Sequence, residues 1–319
     1  MKTFLKKKGM LSAAVAVAIL VSPAVAARQT APAKETETDE AVATSTVAVT
    51  RNIVYARVGE HDLLLDLYEP TKGGGPFPGV ICIHGGGMSG GNKTAFGRHA
   101  AYLAERGYVA VSVDYRLSGV AKYPASINDC KAAVRWMRAN AKKYRIAPDR
   151  IGAIGGSAGG YLVAMLAATT DKPEFDGEVG VTGFSSRVQA AVPLAPPADL
   201  LLRARMMPGA GTTKSYTAYL GAGPDENPRR WEQASPINHV DRKSAPMLIM
   251  HATGDPTTPY QVSVELQKRC EAVGAQSELV PIEYNSHSFW SAKNWFGPTM
   301  ERATAFFDRQ IGDSHLFSP

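Results

Sequence analysis

Gly155-Gly156-Ser157-Ala158-Gly159 is the stretch of the chain best suited to covalent chemistry. A serine becomes a nucleophile when a sharp strand-to-helix turn pushes its hydroxyl out of the sheet, with glycines on either side because the turn leaves no room for side chains. An apolar run over 150–154 precedes the serine and a helical pattern over 158–168 follows it. By itself the five-residue pattern is weak, and its plain reading is a glycine-rich turn; the strand-to-helix setting is what points to Ser157. The start of the helix adds free N–H groups and the positive end of a dipole beside the charge that would form. A second glycine run, His84-Gly85-Gly86-Gly87, follows an apolar run over 79–83. Acyl transfer builds negative charge on a carbonyl oxygen and needs N–H donors already in place. The backbone amides of Gly86, Gly87 and Ala158 are the expected oxyanion donors.

The same glycines support a rival reading. Gly85-x-Gly87-x-x-Gly90 is spaced as in a dinucleotide fingerprint, and Asp114 ends the next strand, near where a ribose-binding acid would lie. Against it, Gly90-Gly91-Asn92 delays the helix that the fingerprint should open, and two strands come before this one. It also leaves Ser157, Asp255 and His287 without a role.

A serine hydroxyl needs a base, and the base needs a carboxylate to orient it. The glycine-flanked serine turn resembles that of the α/β-hydrolases, and the resemblance implies that the acid and then the histidine follow the serine along the chain. Of seven histidines, His61, His84 and His99 come too early and His315 lies in the C-terminal tail. His239 reads as loop surface, and His251 ends a buried strand as a packed or supporting residue. His287 lies between the last strand and the last helix and is the expected base. Asp255, just beyond the strand over 246–251, is the expected acid, on the same sheet edge as Ser157. Asp199 competes for that role, but Leu200-Leu201-Leu202 behind it suggest a helix N-cap. Asp114-Tyr115-Arg116 reads as hydrogen bonding beneath the site.

These residues must be positioned by the elements around them. Strands over 52–58 and 62–68 flank a turn at Gly59-Glu60. Strands are then expected over 79–83, 108–113, 150–154, 188–194, 246–251 and 277–284, with helices over 94–106, 126–143, 158–168, 260–273 and 292–310. Strands that alternate with helices imply an α/β fold, a mostly parallel eight-stranded sheet with helices on both faces. Segments 171–187 and 203–231 break the alternation and are candidates for loops over the active site, or for plain surface decoration.

The chain has 319 residues, 45% hydrophobic and 20% charged, which is ordinary globular composition. Residues 1–27 stand apart: Lys2, Lys6, Lys7 and Lys8, an apolar run over 10–21, then Ala24-Val25-Ala26. This is the pattern of a secretory signal and predicts a secreted or periplasmic protein; an uncleaved anchor is the alternative. Removing those four lysines takes the formal charge from +6 to +2 and leaves no long basic tract, so no nucleic-acid partner is expected. No stable membrane association is expected after cleavage. Residues 28–50 read as a disordered linker, 51–312 as the folded domain and 313–319 as a tail. Cys82, Cys130 and Cys270 read as buried free thiols, although an exported chain could pair two of them. Neither a metal nor an organic cofactor is expected.

With these residues in hand, the chain resembles the hormone-sensitive-lipase-like esterases of the α/β-hydrolases, and most of all the bacterial acetyl xylan or feruloyl esterase-like branch. The likeness runs from about residue 52 to 310. It rests on His84 to Gly87, Asp114-Tyr115-Arg116-Leu117, Tyr123-Pro124-Ala125 with Asp129, Ala132 to Trp136, and Pro148-Asp149-Arg150-Ile151. Gly155 to Gly160, Ser235-Pro236, Asp255 with Pro259, and His287 complete it. Met88 stands where the family usually has an aromatic residue and is expected to bear on the acyl pocket; His251-Ala252 replaces a usual His-Gly. The resemblance implies hydrolysis of acetyl or feruloyl esters on plant polysaccharide, an associational step because one fold hosts many chemistries. Amide or peptide cleavage by the same triad, and a non-catalytic binding protein on the same fold, are the alternatives.

Overall fold

A computed structural model describes residues 46–312. The signal-like segment, the linker up to residue 45 and the tail over 313–319 lie outside the described residues. Eight strands form one sheet: β1 (Val47–Val58), β2 (His61–Pro70), β3 (Phe77–Ile83), β4 (Val109–Val113), β5 (Ile146–Gly156), β6 (Ala190–Leu194), β7 (Met247–Ala252) and β8 (Ser277–Ile282). Their order is β1-β2-β4-β3-β5-β6-β7-β8. The pairs β1–β2 and β2–β4 are antiparallel, and every other pair is parallel. Strands β4, β6 and β7 are buried throughout, as expected of continuous apolar runs covered on both faces. Edge strand β8 instead alternates buried and more exposed positions toward its end.

The helices are α1 (Gly97–Ala104), α2 (Ala125–Ala139), α3 (Ala158–Ala168), α4 (Leu200–Met206), α5 (Gly211–Leu220), α6 (Pro228–Ala234), α7 (Gln261–Val273) and α8 (Phe296–Ile311). Two cores show that both faces of the sheet are covered. One gathers Ile127 and Met137 of α2, Tyr161 and Leu162 of α3 and Leu266 of α7. The other gathers Leu103 of α1 with Met300, Phe306 and Phe307 of α8. Burying each such side chain fully is worth about 1.5–3 kcal/mol. Helix α3 is buried on every side, so the element behind the nucleophile turn is among the best anchored. Cys82, Cys130 and Cys270 are free and buried. Among the described residues no helix is long and apolar enough to cross a membrane.

Three expectations change. The linker reading of 28–50 runs too far, because β1 begins at Val47, paired with Pro70. Val47 and Val49 already show the buried alternation, but a register shift between Thr50 and Ile53, with Asn52 at φ 57°, interrupts the period there. Segment 203–231 is mostly helical rather than a loop: it closes α4, holds α5 and begins α6. Segment 171–187 stays largely irregular but contributes nothing to the cleft that holds Ser157. It is strapped to α2 instead. Arg135 donates to the carbonyls of Asp176, Val179 and Val181 at 2.7–2.9 Å, and Arg138 donates to that of Ser185.

Candidate active site

Strand β5 ends at Gly156 and α3 begins at Ala158, leaving Ser157 alone on the turn at φ 57°, ψ −120°. A non-glycine residue held there stores roughly 1–3 kcal/mol of strain. The turn persists because it is clamped. The Ser157 amide donates to the Leu194 carbonyl at 2.9 Å, and the glycines let α3 press on the neighbouring strand. A Cβ at Gly159 would stand 2.1 Å from the Ile83 carbonyl oxygen, and one at Gly156 would stand 2.4 Å from the Trp290 ring. A side chain at either position forces its neighbours apart.

His287 arrives on the loop after β8 and Asp255 on the turn after β7. His287 Nε2 lies 2.7 Å from Ser157 Oγ, and its Nδ1 lies 2.6 Å from Asp255 Oδ2. The carboxylate only accepts, so Nδ1 carries the proton and Nε2 is left to accept one from the serine. Asp255 Oδ1 accepts the amides of Thr257 and Thr258 at 2.7 and 2.9 Å. Burial pushes the Asp255 pKa up, but hydrogen bonds from His251 and His287 outweigh it and hold the carboxyl well below the usual carboxylate range. His251 Nε2 faces two acceptors, Asp255 Oδ2 at 3.2 Å and the Thr258 carbonyl at 2.9 Å, and therefore carries a proton. Its Nδ1 then accepts from Ser263 Oγ at 2.7 Å. The expected supporting role of His251 thus takes a definite form, as a second imidazole on the acid.

The loop after β3 lies against the nucleophile turn, where a Cβ at Gly85 would stand 2.8 Å from the Gly156 carbonyl oxygen. Gly86, at φ 126°, turns its carbonyl back to accept the amides of Ser89 and Gly90, and its backbone approaches Gly90 too closely for any Cβ. Among the described residues the amides of Gly86 and Gly87 make no backbone hydrogen bond, and that of Ala158 opens a helix, where such groups lack an intrahelical acceptor. Tyr115 stacks on His84 with centroids 4.4 Å apart and donates to the His84 carbonyl at 3.0 Å. Asp114 accepts the Lys93 amide at 2.7 Å, and Arg116 pairs with Asp129 at 2.7 Å. Tyr115 therefore braces the start of the glycine loop, while Asp114 and Arg116 tie the same stretch to Lys93 and Asp129 by hydrogen bonds and an ion pair.

Gly86, Gly87, Ser157 and His287 line one cleft of about 400 Å³. A larger cavity of about 600 Å³, bounded by Phe77 and Tyr108, contains none of these residues. Asp199 accepts the Leu202 amide at 2.9 Å and caps α4, so it is no rival to Asp255. Met88 is a correction: it is fully buried in the core and does not line the cleft. The glycine loop folds back on itself, and α1 starts only at Gly97, so no helix opens on the fingerprint glycines. Sequence reasoning missed Arg203, Tyr216 and Trp290, which also line the cleft. Nothing in Leu200-Leu201-Leu202-Arg203 separates a buried arginine from one on a solvent-facing helix side.

Sheet order, helices on both faces and a Ser–His–Asp chain at the ends of β5, β7 and β8 together define an α/β-hydrolase. More narrowly, residues 65–270 match the BD-FAE family, and the chain belongs to it. The probable carboxylic ester hydrolase LipM of Mycobacterium tuberculosis is 29% identical over 229 residues, covering 67% of this chain and 50% of that protein. The chain spans about half the length of the curated relatives it first matches. A truncated carbohydrate esterase from gut microbiota superposes with a TM-score of 0.77 at 27% identity, covering 86% of this chain and 100% of the other. Esterase 2 of Thermogutta terrifontis, in a form phosphonylated by sarin, gives a TM-score of 0.72 at 27% identity over 82% of this chain and 95% of the other.

Proposed function

We propose that the protein is an exported serine carboxylesterase that releases acetyl or feruloyl groups from plant polysaccharide through an acyl-enzyme. The observation that carries the reading is the unbroken chain from Ser157 Oγ through both nitrogens of His287 to Asp255. Ser157 Oγ attacks the ester carbonyl while His287 Nε2 takes its proton. Asp255 holds the imidazole in the tautomer that can accept and steadies the imidazolium that forms. The amides of Gly86, Gly87 and Ala158 receive the carbonyl oxygen as it becomes an oxyanion. His287 returns the proton to the departing alcohol, leaving the acyl group on Ser157. Water, deprotonated by the same imidazole, then releases the acid and restores the serine.

The relatives named as esterases and the carbohydrate esterase neighbour support the ester and the carbohydrate parts of the reading. Export is supported by the basic, then apolar, then small-residue pattern over 1–27. The phosphonylated neighbour makes an activity-based probe the natural test. A fluorophosphonate is expected to label Ser157 stoichiometrically, and Ser157→Ala is expected to take no label. Kinetics on acetylated xylan, methyl ferulate, short nitrophenyl esters and peptide amides then name the substrate; cleavage confined to the amides would end the esterase reading.

A further inference from the structure

We propose that Arg203 is a recognition residue for a carboxylate carried by the ester substrate, beside the scissile bond; this rests on the esterase reading above. Arg203 projects from α4 into the wall of the cleft shared with Ser157 and His287 and is only 1% exposed. Its Nη2 donates to the Thr257 carbonyl at 2.8 Å and to Thr212 Oγ1. Among the described residues its Nε and Nη1 have no hydrogen-bond partner, and no carboxylate lies within ion-pair distance. A buried guanidinium left in that state is costly unless something completes it.

The surroundings say what would complete it. Asp255 acts on Arg203 through space, but its two oxygens are already committed to Thr257, Thr258, His251 and His287. Tyr216, with its ring 5.8 Å from the guanidinium, adds a second unpartnered buried group, its hydroxyl. Arg203 offers donors only, in a planar fork that matches a carboxylate, and the Tyr216 hydroxyl can donate as well. An acceptor with two oxygens satisfies both. The half-buried Thr212 hydroxyl is the group a carboxylate entering from the cleft would displace from the fork.

Two matched ester pairs test this in the full chain. In the first, the carboxylate sits on the acyl half: 4-nitrophenyl hemisuccinate against its methyl ester. In the second, it sits on the alcohol half: 4-acetoxybenzoate against methyl 4-acetoxybenzoate. One pair is expected to favour the charged member in kcat/KM by roughly tenfold to a hundredfold, the range of one hydrogen bond to a charged group. Which pair responds tells which half of the ester carries the group. Arg203→Met is expected to erase that ratio. Arg203→Lys, which keeps the charge but not the fork, is expected to keep part of it and carries the test if the methionine variant does not fold. Equal rates within both pairs, or a preference unchanged by either substitution, overturns the proposal. Calorimetric titration of succinate into Ser157→Ala, with and without Arg203→Lys, reads the same contact without turnover. Weaker binding in the lysine variant is expected, and binding indifferent to Arg203 overturns the proposal. Failure to hydrolyse any of the four esters strikes the esterase reading instead, and the titration still decides the role of Arg203.

Discussion

Asp255 Oδ2 is shared by two imidazoles, His287 at 2.6 Å and His251 at 3.2 Å. Only His287 reaches the serine, so His251 is a positioning residue that fixes the acid. Because the folded carboxyl sits below its ordinary range, it contributes stability that is fully present above the unfolded value of about 4 and is lost as the pH falls below it toward the folded pKa. His251→Phe removes one of the bonds that hold the pKa down. The Asp255 contribution then shrinks, and the fall in stability below about pH 4 is expected to be shallower than in the parent. Ester turnover is expected to drop by about tenfold in kcat with KM little changed, since the acid is loosened and the cleft is not. Urea unfolding across the acid range and steady-state kinetics check both. At this scale the sequence is most legible: placement on the sheet edge limits where Ser157, Asp255 and His287 can stand, and the structure joins the three by hydrogen bonds. Arg203 was not legible, because its burial depends on α5 and on the Thr257 turn folding over it.

Helix α3 meets the backbone of β3 at Gly159, two residues past the nucleophile. Gly159→Ala would bring a methyl within 2.1 Å of the Ile83 carbonyl oxygen, with rigid backbone on both sides. It is expected to cost about 1–3 kcal/mol in stability and a larger share of kcat, as Ser157 shifts relative to His287. Gly297→Ala in the first turn of α8 meets nothing within 4 Å and is expected to be near neutral in both measurements. Element positions are legible where length and flanking turn residues separate a buried strand from a helix, since an unbroken apolar run alone marks both β7 and α3. The strand expected over 52–58 falls short of β1 because the register shift between Thr50 and Ile53 breaks the period of two. The loop reading of 203–231 hides α5 and the parts of α4 and α6 that fall within it, because Met207-Pro208-Gly209 and several polar residues punctuate a stretch whose helices are only 7–10 residues long.

Across the whole molecule, the three members of the triad stand on elements of unequal security. Ser157 is held by β5 and the fully buried α3, in the middle of the sheet. His287 follows β8, which among the described residues pairs in the sheet with β7 alone. The Asp255 turn is laced to that same margin: the Thr253 amide donates to the Ile282 carbonyl at 2.9 Å, and the Gly254 amide donates to that of Tyr284 at 3.1 Å. Peeling of one outer strand would therefore carry off the base and slacken the acid together, while the serine stayed in place. Local opening at a margin costs less than global unfolding. In a urea titration, ester turnover is expected to fall at lower denaturant than the far-UV signal of the sheet, and superimposable curves would refute this. The protein would then lose its chemistry while most of its architecture still stands, so that a well-folded preparation, judged by circular dichroism, can already be an idle one.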